Sequence, residues 1–257
     1  MTTSLRRTTS NSIIKWALLG AASYALAALL HEGVGHGLGC LLAGGDIELV
    51  TSSYLSCSRR GALIDVAGPV ANAIAFVAFA ALASWAKSYR RPVSRFASGF
   101  CWLEAAWNLY WFTGYLLYSG LTDHGDWSLI AQSLPMGPYL LMAAGLLATI
   151  QGIRWFRRSN PFGQANTLFA AYAGGSAAAL FAAAFDPAGF VGLLLRAPPA
   201  APLAGICLLL SVDRHHRSPI EDGVSRHEAG FRDVVWLGGL VIGTLFFIGV
   251  LGPGWRP

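Results

Sequence analysis

His31, Glu32 and His36 stand together in Leu29-Leu30-His31-Glu32-Gly33-Val34-Gly35-His36-Gly37, inside an apolar run from about Ile13 to Ala43. Two imidazoles and a carboxylate on one helix are the parts of a zinc site with its own general base. Ionisable groups at membrane depth are costly, and they sit there paired or bound to something. The spacing is unusual. Histidines at i and i+4 lie about 40° apart around a helix, whereas His31 and His36, at i and i+5, lie about 140° apart on a regular one. One extra residue is what a π-bulge absorbs, and Gly33 and Gly35 make such a deformation cheap. Alternatively, Glu32 and His36, themselves at i and i+4, form the ligand pair, and the proposed base becomes a ligand. Cys40, four residues beyond His36, reads either as a soft ligand or as packing.

The elements that must carry these groups are membrane helices. The chain is 54% hydrophobic and only 12% charged, about half the charge of an average soluble domain. Its apolar residues come in long blocks, which predicts an all-α, polytopic transmembrane bundle. After a polar tail over 1–12, a first span runs from about Ile13 to Ala43. Ala25-Leu26-Ala27 looks like a cleavage site, but the apolar run continues past it and carries the motif, so the segment reads as retained. A polar loop over 44–61 precedes a second span, about Ala62 to Ala86, with Asp65 as its cap. The third, about Phe96 to Leu121, is aromatic-rich and carries Glu104 and Asn108. It ends in Thr122-Asp123-His124-Gly125-Asp126-Trp127. Further spans follow over about Met136–Ile153, Ala165–Phe185, the short and proline-interrupted Pro198–Val212, and Val234–Leu251. That makes seven, or six if the short one only dips in. The charged loop over 213–233 holds His215, His216 and His227, which read as solvated. The four cysteines form no CxxC pair and give no case for a disulfide framework.

The net charge of +5 comes from basic residues in short loops, which suit lipid head groups rather than nucleic acid. Lys and Arg number 14 on the side of the N-terminus and 4 on the other, which predicts a cytoplasmic N-terminus. Alternation of spans brings the end of the first, the start of the second and the end of the third to one face of the membrane. His31, Glu32 and His36 therefore meet Gly68-Pro69-Val70-Ala71-Asn72 and the cluster of Asp123, His124 and Asp126. This convergence follows from parity alone.

With these elements in place the chain resembles the site-2 protease family of intramembrane zinc metalloproteases over about residues 20–130. That family carries H-E-x-x-H on one span, G-P-x-x-N on a following one and an aspartate, usually before glycine, on a later one. His31, Glu32 and His36 match the first element with one residue added, and Gly68 to Asn72 match the second in full. Asn108 and the Asp123–Asp126 cluster stand where the third belongs, though neither aspartate reproduces the Asp-Gly order. The resemblance implies a three-helix core over 13–130, followed by additional helices over 131–257. It implies Zn2+ held by His31, His36 and either Asp126 or Asp123, with Glu32 as the base. Asn72 and Asn108 would serve the substrate backbone, the oxyanion or the second shell, or simply join helices. Glu104 faces the bundle. The implied substrate is a transmembrane or membrane-proximal segment of another membrane protein. The alternative is a proteolytically inactive relative that binds or regulates membrane proteins. A histidine-box iron enzyme is disfavoured by too few histidines, and a transporter by the lack of paired broken segments. The family's site is usually described as nearer the cytosol, whereas the charge count turns the cluster toward the outer face.

Overall fold

The computed structural model describes residues 2–87, 92–161, 165–190, 192–197, 199–212 and 231–257. His215, His216 and His227 lie outside them. Helix α1 (Thr2–Ala28) runs without a break into a π-helical turn, Leu29–His36, and then into α2 (Gly37–Leu42). A short antiparallel hairpin follows, β1 (Ile47–Val50) and β2 (Leu55–Cys57). Then come α3 (Ala62–Lys87), α4 (Pro92–Thr122), the short α5 (Ser128–Ser133), α6 (Gly137–Ser159) and α7 (Ala165–Ala183). The sixth expected span is broken: π-helical turns at Gly192–Arg196 and Pro199–Leu203 lead into α8 (Ala204–Leu210). The last is α9 (Phe231–Phe246), which ends in a π-helical turn, Phe247–Leu251.

Among the described residues, three helices are long and apolar enough to cross a membrane: Ile13–Leu42, Ala62–Trp85 and Gly137–Ser159. They turn large aliphatic side chains outward, among them Ile74, Val77, Leu146 and Leu147, as lipid-facing helices do. The inside is aromatic and polar. Helix α4 is the central post, packed on α3, α6 and α1, with Trp102, Trp107 and Trp111 fully buried. Tyr24 of α1 stacks on Trp111 and meets Trp107 edge-on, at centroid distances of 5.5 and 5.4 Å. These tryptophans pack the interior of the bundle. Helices α1 and α7 touch backbone to backbone. A Cβ on Gly20 would lie 2.0 Å from the Ala171 carbonyl, and one on Gly174 1.9 Å from that of Ala17. Small residues thus let the two helices close without interdigitating side chains.

Two expectations fail together at 44–61. The polar loop is a hairpin, with Ile47 opposite Cys57 and Val50 opposite Leu55, and Trp255 adds a bridge to Val50. The hairpin also returns Cys57 to Cys40, with a Cα–Cα separation of 5.9 Å, and the two form a disulfide. Cys40 is therefore neither a metal ligand nor free packing. Ile47 and Leu55 supply the reason for the fold-back: their side chains close over Gly37, at the exit of the π-helical turn.

Candidate metal centre

The π-helical turn is the local event on which the centre depends. The Gly37 N–H donates to the Glu32 carbonyl, five residues back, so side chains five apart stand one turn above each other. His31 and His36 thereby share a face, and their Nε2 atoms are 3.2 Å apart. Both residues are buried, as is Glu32.

Each ring is held from behind. His36 Nδ1–H donates to the Ile64 carbonyl of α3 at 2.7 Å. His31 Nδ1–H donates to Asn72 Oδ1, and its ring stacks on Trp111 at 4.7 Å. With Nδ1 protonated on both rings, both Nε2 atoms present lone pairs to the same point.

Asp126 completes the point. Met136 aside, Asp123 is the one non-glycine residue with positive φ (+56°) among the described residues, and Gly125 follows at +89°. The chain reverses there and carries Asp126 back under the helices. Its Oδ2 lies 3.0 Å from His31 Nε2 and 3.7 Å from His36 Nε2, buried and without a well-formed hydrogen bond. Burial pushes this carboxyl up, but with a proton on Nε2 the two imidazoles facing it would donate to it, outweigh burial and bring it down to about 2. Asp123 itself is exposed at the turn, and His124 bends back to the Thr122 carbonyl. The structure brings Asp126 to the histidines and leaves Asp123 outside.

Three lone-pair atoms at 3.0–3.7 Å repel one another unless a proton or a cation stands between them. A tetrahedral zinc site with bonds of about 2.0–2.1 Å has donor–donor edges of about 3.3 Å, which the three observed edges bracket. Gly68 forms the wall of this cradle: a Cβ there would lie 2.4 Å from His36 Nε2 and 2.9 Å from His31 Nε2. The donor set fits a metal ion. The ligand atoms of His31, Glu32 and His36 also lie within 4.8 Å of one another, so this buried group alone could hold one.

A cavity of about 400 Å³ opens onto the centre, lined by Glu32, His36, Asp65, Tyr115, Asp126 and Arg196 among others. Asp65 sits inside the first turn of α3 rather than capping it. Arg196 reaches the cavity from the broken helix, over the Tyr54 ring at 4.1 Å and 3.8 Å from Asp186. Asn72 and Asn108 are fully buried behind His31. Asn72 Nδ2 donates to Asn108 Oδ1 at 2.7 Å, and Asn108 Nδ2 donates to the Glu104 carbonyl at 2.9 Å and to Glu104 Oε2 at 3.2 Å. Asn72 touches the back of the His31 ring, Asn108 stands behind Asn72, and neither lines the cavity. Sequence reasoning missed Trp111 as a platform for His31 and the Ile64 carbonyl as the anchor for His36. Asn108, Trp111 and Tyr115 do recur at helical spacing on one face of α4, which was a usable signal for the first. No side-chain pattern marks a carbonyl.

The fold and centre thus define a helical chain with membrane-apt spans around a buried His-Glu-His group able to bind a metal. No protein-family model matches the chain, nor does any curated protein or solved structure.

Proposed function

We propose that the chain is a multi-pass, membrane-embedded zinc endopeptidase that hydrolyses a peptide bond in or near a transmembrane segment of another protein. The observation that carries the reading is the meeting of His31 Nε2, His36 Nε2 and Asp126 Oδ2 within 3.7 Å of one another, with Glu32 lining the adjoining cavity. His31, His36 and Asp126 would hold the ion. Zinc, when bound, supplies Lewis acidity, which makes water nucleophilic near neutral pH and polarises a carbonyl. The Glu32 carboxylate takes a proton from the attacking water and returns it to the leaving nitrogen. Leu55, Ile64 and Tyr115 on the cavity wall limit bulk water around a bound segment.

The reading includes a cytoplasmic N-terminus and a site toward the outer face. The 14-to-4 division of Lys and Arg supports it, and so does the Cys40–Cys57 bridge at the site end of the molecule, since disulfides persist in oxidising compartments. The test is the metal content of purified full-length protein beside His31→Ala and His36→Ala, together with new N-termini in membranes carrying wild type or Glu32→Gln. The expectation is one zinc per wild-type chain, lost in both histidine variants, and cleavage products that vanish with Glu32→Gln while zinc remains. Zinc retained with identical products in Glu32→Gln membranes favours an inactive binding protein.

A further inference from the structure

We propose that Asn108 is a positioning residue for the metal centre, acting through Asn72 to hold His31 in the tautomer whose Nε2 is free to bind. The inference rests on the reading of His31 as a ligand, but its logic is one of hydrogen-bond polarity. The Glu104 backbone carbonyl can only accept. It takes a hydrogen bond from Asn108 Nδ2 at 2.9 Å, and the Glu104 side chain takes a second at 3.2 Å. Asn108 therefore has its NH2 committed and must offer Oδ1 to α3. Asn72 answers with its own NH2 at 2.7 Å, which leaves Asn72 Oδ1 facing His31 Nδ1. An acceptor there requires Nδ1–H, and Nε2 is then bare.

Each amide is thus fixed in one orientation by the group behind it, from α4 to α3 to the π-helical turn. Glu104, Asn108 and Asn72 are fully buried, so solvent offers no substitute partner. If the pair served only to fasten helices, either amide orientation would do, and His31 would not depend on it. Outer-shell partners that fix a ligand's tautomer are worth about 10–100-fold in metal affinity.

The test uses full-length protein in detergent and zinc competition against a chromogenic chelator. Asn108→Leu frees the Asn72 amide to turn over and should weaken zinc binding about 10–100-fold. The exchange Glu104→Gln with Asn108→Asp keeps one carboxyl in the pair; as the neutral acid its O–H donates to the residue-104 carbonyl and its other oxygen accepts from Asn72, so the exchange should restore most of the loss. The second readout is independent of metal. In metal-free protein carrying both Asp126→Ala and His36→Ala, which lacks the other two acceptors near the ring, 15N-histidine NMR should show His31 protonated at Nδ1. Adding Asn108→Leu should mix the tautomers, and the exchanged pair should return the single form. An unmixed tautomer and unchanged zinc affinity in Asn108→Leu, with only a lower unfolding temperature, would overturn the proposal. If wild type binds no zinc, the ligand reading fails by itself, and the tautomer comparison still decides whether Asn108 governs His31.

Discussion

Gly68 and His36 leave no room for an atom between them: a methyl on Gly68 would sit 2.4 Å from His36 Nε2. The glycine is therefore the wall of the candidate metal centre, and its neighbour across the helix crossing, Gly35, would bring a Cβ to 2.6 Å from the Gly68 Cα. Gly68→Ala should push the imidazoles off the shared point and weaken zinc binding at least tenfold, about 1.4 kcal/mol. Gly238→Ala on α9, where a Cβ meets nothing within 4 Å, is the control and should bind as wild type does. Equal affinities for the two variants would mean that the cradle does not shape the site.

The two aspartates of the turn after α4 separate cleanly by position. Asp126 Oδ2 is 3.0 Å from His31 Nε2, while Asp123 is exposed where the chain reverses at φ +56°. Asp126→Ala should cost more zinc affinity than the about 10–100-fold typical of outer-shell changes. Asp123→Ala should leave affinity unaltered. Chelator competition on the two purified variants decides it, and a larger loss in Asp123→Ala would reverse the assignment.

Why one aspartate and not the other was hidden in the sequence is a matter of backbone. Composition and block length expose helices, and parity of spans exposes which helix ends can meet, because both depend on many residues at once. The choice between Asp123 and Asp126 depends on one reversal at Asp123 and Gly125, which spacing cannot report. The i and i+5 histidines were legible as a problem, and the glycines beside them as its means of solution, but the π-helical turn itself is a hydrogen-bond register. The disulfide was illegible for a related reason. Cys40 and Cys57 are 17 residues apart, and only the hairpin brings them together.

That hairpin gives a prediction of its own. Leu55 lines the cavity, and the bridge ties its strand to α2. Cys57→Ser should cost about 2–4 kcal/mol of stability, the usual range for a native disulfide, read as a lower unfolding temperature in detergent. In intact cells or sealed vesicles with the N-terminus inside, and with Cys101 and Cys207 changed to serine, an impermeant maleimide should label the part-exposed Cys57 in Cys40→Ser protein and miss it when Cys40 is present. Failure to label while the lysed sample reacts would place the bridge on the inner face.

The extra residue between the histidines should itself be removable. A π-bulge absorbs one insertion without changing the phase of the helix on either side. Gly35 is committed to Gly68, and a Cβ on Gly33 would lie 3.0 Å from the Leu29 side chain, whereas Val34 points outward and is 42% exposed. Deleting Val34 should therefore return the turn to regular α-helix and set the histidines at i and i+4, still on one face. Downstream, Gly39 against Ala67 and Cys40 against Cys57 keep their contacts. The deletion should bind zinc within about tenfold of wild type, under about 1.4 kcal/mol of difference, and should retain the disulfide. Adding a glycine after Val34 should abolish zinc binding, since a second insertion exceeds what one bulge absorbs. If the deletion loses zinc as completely as the insertion, the π-helical turn is a required part of the site and not merely the accommodation of a longer motif.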